Sequence, residues 1–300
     1  MCYEVICCLS KDYTTELLCS TLGVSRSAYY NYVNGQTYQP SPSRQTLLKE
    51  VNDIFYAHKR RYGSRRILEE LRDRGYQIGK YKVSSLMQEQ GLKAIQPKSF
   101  VPRTTQSDSR LYRFPNLLLE EDNLPIAPDQ VVIGDITYLP NINEQGLEDW
   151  LYLAIWMDLF TRKIVGWYVD DNMEAHLVIQ AMKKLLRNRS PEARVIVHTD
   201  GGRQYLADEF KELIAPHQFR QSMTRKDNHY DNAFAESLFS RFKAEVLDEG
   251  IFTGLENARK RCFEYIEGYY NTIRKHSSLG YLSPNQFEDK YWMDWLYRIQ

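Results

Sequence analysis

The stretch QVVIGDITYLP (130–140) decides how this chain reads. Its β-branched and apolar residues predict a strand, and one carboxylate, Asp135, interrupts them. Working outward, WLYLAIWMDLF (150–160) and KIVGWYVDD (163–171) predict a second and a third strand. Three strands in a row with no helix between them predict an antiparallel meander. Beyond them the pattern alternates. MEAHLVIQAMKKLLRNR (173–189) is amphipathic at helical spacing, RVIVHTD (194–200) predicts a fourth strand, YLADEFKELIAPH (205–217) a helix and FRQSMTR (219–225) a fifth strand. Helices are expected over 231–247 and 255–275. Strand–helix alternation predicts parallel pairing, so the expected core is α/β: a mixed five-stranded sheet with flanking helices.

The segments before this core read differently. TTELLCSTLGVSRSAYYNYV (14–33) carries Leu17, Leu18, Leu22, Val24, Tyr29 and Tyr30, broken at Gly23, with Ser25 placed to cap a second helix. The Pro/Ser-rich 37–43 reads as a loop. RQTLLKEVNDIFYAHKR (44–60) is amphipathic through Leu47, Leu48, Val51, Ile54 and Phe55, and 61–92 holds two further helices separated by Gly75 and Gly79. Both blocks have the helix-turn-helix layout. The expected organisation is a helical region over 1–36, a helical DNA-binding unit over 44–95, a linker over 96–129, a catalytic core over 130–250 and a helical tail over 251–300.

Charge sharpens the division. The 300 residues carry 39 basic and 39 acidic side chains. Residues 1–115 hold 18 basic against 10 acidic residues, and residues 116–219 hold 9 against 17. A basic front joined to an acidic middle suggests a polyanion-binding module attached to a carboxylate-rich one. Eight cations fall within 60–82, and Arg60, Arg61, Arg65, Arg66, Lys80 and Lys82 are the candidate DNA contacts. The longest apolar runs are too short to span a bilayer, Asp158 lies within one of them, and no signal peptide is read. Five cysteines without CxxC or zinc spacing fit free thiols in a reducing cytosol, so the expected location is the cytoplasm, on the nucleoid.

Three acids hold matching places in the layout. Asp135 lies in the first strand, Asp200 closes the fourth, and Glu236 lies on the helix after the fifth. If the first and fourth strands are neighbours, the two aspartates share one sheet edge. On the helix, Phe234, Leu238, Phe242 and Val246 form the expected buried stripe, with Glu236 at its border and Asn232 and Lys243 on its side. Converging carboxylates repel unless a cation sits among them, and hard oxygen ligands favour Mg²⁺ or Mn²⁺. Two such ions suit in-line attack on a phosphodiester. The other acids read more simply: Asp158 and Asp170 as turn formers, Asp231 as an N-cap. His198 reads as a packed or hydrogen-bonded residue.

Ordered motifs now point to a family. VIGDITYL around Asp135, LAIWMDLFTRKIVGW (153–167), HTDGGRQY around Asp200, YDNAFAESLFSRFKAEV around Glu236 and YYNTIRKHSSLGYLSPNQFE (269–288) follow one another along the chain. Together with LGVSRSAYY (22–30) and YGSRRILEEL (62–71), they resemble the second-frame (OrfB) transposases of the third insertion-sequence family. Thirty-five residues separate Asp200 from Glu236, the spacing of the D,D-35-E label. The resemblance implies a ribonuclease-H-like core similar to retroviral integrase, with Asp135, Asp200 and Glu236 as metal-binding catalytic triad. Ile133 stands where many relatives carry Trp, and Asp227, Asn228 and His229 where many carry Gly-Asn-Cys. It further implies recognition of terminal inverted repeats, strand nicking, attack of the freed 3′-hydroxyl on another phosphodiester that typically joins one end to the other in a circular intermediate inserted later, a dimer or larger assembly, and an upstream-frame partner. On this reading Lys243 contacts DNA near the reacting phosphate and Arg203 holds a phosphate. The rivals are a nuclease of the same fold and a non-enzymatic DNA-binding protein derived from a transposase.

Overall fold

A computed structural model describes residues 2–35, 42–97, 114–189, 194–225 and 233–298. The chain divides into two compact units, Met1–Lys93 and Ala94–Gln300.

In the first unit, α1 (Cys2–Leu9), α2 (Thr15–Thr21) and α3 (Arg26–Val33) pack around Ile6, Leu18, Cys19 and Tyr29. Ser25 caps α3, its hydroxyl accepting from Ala28 N at 3.1 Å. Leu17, Leu22 and Tyr30, expected among the apolar residues of this region, point outward. These helices are only two turns long, so few of their positions can face one small core. Next come α4 (Pro42–Ala57), α5 (Ser64–Asp73) and α6 (Lys80–Glu89), with Val51, Ile54, Phe55, Ile67, Leu71, Val83 and Leu86 buried. The α5–α6 connection passes through Gly75 at φ +85°, a left-handed turn that favours glycine. No side chain caps α5 or α6, whose N-caps are Gly63 and Gly79.

The second unit is built on one mixed sheet of β1 (Val131–Ile142), β2 (Glu148–Asp158), β3 (Ile164–Asp170), β4 (Ile196–Thr199), β5 (Arg220–Met223) and β6 (Phe252–Thr253). Its order is β3-β2-β1-β4-β5. The first three strands are antiparallel, and β4 and β5 join parallel. This is the ribonuclease-H-like arrangement. The expected five strands become six, because β6 pairs with the far end of β1. Two residues give no periodicity to read, and only the tertiary pairing makes them a strand.

Both sheet faces are covered, which explains the near-continuous apolar runs of β1 and β2. On one face α7 (Ala175–Asn188) and α9 (Asp208–Ile214) pack over Val132, Ala154, Trp156, Val165 and Val197. Gly166 admits α7, since a Cβ there would lie 2.3 Å from the Ala181 carbonyl oxygen. On the other face Ala235 of α10 (Ala233–Val246) meets Val131, Ile133, Leu159 and Ile196. The expected single helix over 205–217 is interrupted at Ala207 into α8 (Arg203–Leu206) and α9, followed by a 3₁₀ turn containing Pro216. Residues 114–126, within the stretch read as a linker, attach to the sheet. Met223 N donates to Pro115 O, and Leu117 N donates to Ser222 Oγ.

The C-terminal α11 (Leu255–Tyr265) and the π-turn Ile266–Tyr270 dock on β3, while α12 (Pro284–Arg298) meets the turn before it, with Glu288 paired to Lys163 and Phe287 against Phe160. The Asn271 amide accepts from Ile164 N and donates to Ile164 O, Arg259 Nε donates to Val169 O, and Tyr270 donates to Arg162 O. Asp158 behaves as the expected turn former: it is buried, and accepts from Thr161 N, Thr161 Oγ1 and Asp129 N. All five cysteines are free thiols, and burial pushes that of Cys262 up to about 12. No helix among the described residues is long and apolar enough to cross a membrane.

The helix α10 is held from its far end. Glu245, buried, accepts from Arg274 Nη2 at 2.7 Å, Arg274 Nε at 3.1 Å and Tyr265 Oη at 2.8 Å. Removing the cation alone would leave a buried carboxylate unpaired. Arg274→Ala is therefore expected to lower the unfolding free energy of the full chain by about 3–5 kcal/mol in urea titration. A Glu245→Gln, Arg274→Met double variant should lose markedly less.

Candidate active site

The site follows from strand register. In the parallel β1–β4 pair, Gly134 lies opposite Thr199, so the next residues along, Asp135 and Asp200, are neighbours. There β4 ends while β1 runs on to Ile142 against β2. The expected adjacency of the first and fourth strands is thus present, and the two carboxylates open at the carboxyl end of a parallel pair. This is where α/β sheets leave a crevice for ligands. Side-chain alternation puts Asp135 on the face of Val131 and Ile133, beneath α10. Both aspartates are half-buried. Asp200 Oδ1 accepts from Gly202 N at 3.0 Å, and Asp135 Oδ1 from Ile136 N at 2.8 Å.

Lys243 reaches this place from α10. Burial pulls its ammonium below the usual lysine range, while the Asp135 carboxylate pulls the other way. Glu236 stands two turns earlier on the same side of the helix and is exposed. Among the described residues, no three His, Cys, Asp or Glu side chains lie close enough together to hold a metal ion. Register sets Asp135 beside Asp200, Lys243 lies within electrostatic range of Asp135, and Asp135, Asp200 and Glu236 do not form such a group. The expected stripe of α10 needs one correction. Phe234 is exposed, with the Arg162 guanidinium 4.0 Å from its ring centroid, and Ala235 and Phe239 complete the buried stripe instead. Glu236 flanks that stripe. Asp227, Asn228, His229, Asp231 and Asn232, singled out above, lie outside the described residues.

The other expected contacts separate clearly. Arg203 is exposed in the first turn of α8, three residues after Asp200. His198 is fully buried, its Nδ1 2.9 Å from Ser222 Oγ, as expected of a hydrogen-bonded core histidine. In the first unit, Arg60, Arg65, Lys80 and Lys82 are exposed, and Arg66 lies half-buried with its guanidinium 5.6 Å from the Tyr62 ring centroid. Arg61 departs from the expected surface role: it is only 8% exposed, in a turn whose neighbours Lys59 and Arg60 both have positive φ. That reversal leaves Arg61 buried, beside His58 and Tyr62 in sequence, whose rings stack at 3.8 Å.

Two supporting residues gave little signal in the sequence. Trp156 is fully buried opposite Gly134, stacks on Phe210 and meets Tyr205 edge-on at 5.7 Å. A Cβ on Gly134 would lie 2.3 Å from the Trp156 ring. Tyr205 closes the HTDGGRQY motif, and its position five residues after Asp200 was the available clue.

This core with its paired aspartates defines the class: an integrase-type catalytic core joined to a helix-turn-helix unit. Comparison with known proteins agrees. Residues 125–229 and 217–284 match two models described as integrase core domain, and residues 42–100 match an HTH-like domain. The chain is 35% identical over 288 residues to the transposase InsF for insertion sequence IS3A of Escherichia coli (strain K12), covering 93% of this chain and 95% of that protein. It is 36% identical over 274 residues to a 31 kDa protein of insertion element IS600 from Shigella sonnei, covering 91% and 98%. The chain belongs to the IS3 family of transposases. Among solved structures, a simian T-cell lymphotropic virus intasome in complex with the PP2A regulatory subunit B56 gamma is 12% identical, covering 80% of this chain and 74% of that chain at TM-score 0.44. The HTLV-2 integrase catalytic core domain in complex with magnesium is 16% identical, covering 54% and 97% at TM-score 0.36.

The contact at Gly134 gives a direct test of how the site is framed. Gly134→Ala must push the indole out of a closed core and is expected to cost about 1–3 kcal/mol. Thermal unfolding would register this as a lowered Tm, partly restored by Trp156→Leu in the same chain.

Proposed function

We propose that this transposase cleaves DNA at the terminal inverted repeats of its element and uses the freed 3′-hydroxyl to attack another phosphodiester, forming a new P–O bond as the attacked strand's P–O bond breaks and its oxygen leaves, with Asp135, Asp200 and Glu236 as the catalytic carboxylates. The observation that carries the reading is the β1–β4 register, which sets two carboxylates side by side where β4 ends. Two neighbouring carboxylates of this kind fit a hard divalent cation: the donors are all oxygen, and their repulsion calls for positive charge. Asp135 and Asp200 would hold Mg²⁺ or Mn²⁺, with Glu236 supplying the third carboxylate from the first turn of α10, and two ions per site suit the chemistry. When bound, such ions activate the attacking oxygen and stabilise the leaving one.

The chain's own residues do the remaining work. Lys243, within electrostatic range of Asp135, places a cation beside the reacting phosphate, and Arg203, three residues after Asp200, adds a second. In the first unit, Arg60, Arg65, Arg66, Lys80 and Lys82 bind the phosphate backbone and set register on the repeat, leaving base reading to other side chains. Arg61, being interior, serves that unit's packing. Joining two DNA ends calls for at least two copies of the chain, with an upstream-frame protein as a candidate partner.

The test is strand cleavage and strand transfer on duplex DNA carrying the element's own ends, with Mg²⁺ or Mn²⁺. Products should form with the wild-type chain and fall to background with Asp200→Asn and with Glu236→Gln. Joined products persisting in Asp200→Asn would refute the assignment. Separately, Lys80→Ala and Lys82→Ala should each weaken binding to all duplexes alike. Each should also reduce the slope of log affinity against log salt by about 1.

A further inference from the structure

Tyr205 lies in α8 with 1% of its surface exposed. Its ring is wedged edge-on against Trp156 at 5.7 Å and Phe210 at 5.9 Å, and its carbonyl accepts from Gln221 Nε2 at 3.1 Å. The side chain is therefore fixed. Yet its hydroxyl, buried completely, has no hydrogen-bond partner among the described residues. A buried hydroxyl without a partner costs stability, and phenylalanine would fill the same space without that cost. Packing explains the ring and leaves the oxygen unexplained.

The surroundings supply the explanation. A point one bond above Gly202 Cα lies 2.9 Å from Asp200 Oδ1 and 3.4 Å from Tyr205 Cδ2, so the carboxylate and the ring edge flank the same gap. Burial first, and then the negative charges of Asp200 and Asp135, hold the phenol well above the usual tyrosine range, so it keeps the proton that it can donate to a carboxylate.

We propose that Tyr205 Oη is a positioning donor for the Asp135–Asp200 pair, hydrogen-bonding one of these carboxylates and fixing its orientation when a divalent cation is bound. The proposal rests on the reading of that pair as the metal-holding carboxylates. Carboxylates that bind metals are themselves held by hydrogen bonds, and removing such a partner weakens metal binding about 10–100-fold. Tyr205 acts through the aspartates and touches no substrate.

The experiment titrates Mn²⁺ into the full chain and follows the free ion by electron paramagnetic resonance, comparing wild type, Tyr205→Phe and Asp200→Asn. Tyr205→Phe should bind Mn²⁺ about 10–100-fold more weakly while unfolding at the same temperature or higher. The metal concentration giving half-maximal strand transfer should rise by the same factor. A purely structural role would lower the unfolding temperature and leave Mn²⁺ affinity unmoved, which overturns the proposal. If Tyr205→Phe binds like wild type and Asp200→Asn does not, the positioning role is refuted and the metal pair stands. If Asp200→Asn also binds like wild type, or if wild type binds no Mn²⁺, both readings fall.

Discussion

Register between two strands is the constraint on which the rest of this molecule depends. Side chains alternate along a strand, so a slip of one residue in the β1–β4 pair would carry Asp135 to the opposite face and separate it from Asp200. Apolar residues line both faces of β1, so hydrophobic patterning alone fixes that register weakly. Gly134 and Trp156 add a second constraint by fixing β1 against β2, its neighbour on the other side. The indole fits over β1 only where there is no Cβ, and it is clasped by Phe210 and Tyr205 on its other sides. A shift in either direction would drive the ring into Ile133 or Asp135. The aromatic core beneath the sheet and the carboxylates at its edge are thus two ends of one packing arrangement.

Much of this was legible in the sequence because local pattern and tertiary role agree. The strands around 130–140, 150–160 and 163–171 are long and β-branched, and they form where the pattern places them. The adjacency of Asp135 and Asp200 needed only one assumption, that the first and fourth strands are neighbours, and the sheet order meets it. What escaped was set by contacts with distant residues. Nothing near Glu245 announces that it is buried, because its partners Tyr265 and Arg274 come from the following helix and the segment after it. Arg61 looks like its cationic neighbours until the positive-φ turn at Lys59 and Arg60 sends it inward. Phe234 looks like core on a helical wheel, yet it lies on the surface under the Arg162 guanidinium. In each case residue type gave the ordinary answer and tertiary placement gave another.

The site is supported differently from its two sides. Asp135 belongs to the interior of the sheet, where main-chain pairing leaves little freedom, and Asp200 follows directly on the last residue of β4. Glu236 and Lys243 ride on α10, which touches the sheet through a short apolar stripe and is secured at its far end by Glu245. A pair of carboxylates thus faces a helix anchored twice, by Ala235 against the sheet in its first turn and by Glu245 at its far end.

The C-terminal segment also finishes the sheet. The outer side of β3 would otherwise offer free carbonyl and amide groups to any passing strand. Here Asn271, Arg259 and Tyr270 occupy the groups of Ile164, Val169 and Arg162. An exposed strand edge is a template for polymerisation between molecules. A core trimmed at about residue 250 would therefore be more than a smaller version of the same unit. It would carry an open β edge and a buried Glu245 stripped of its arginine, both of which favour aggregation of such a fragment.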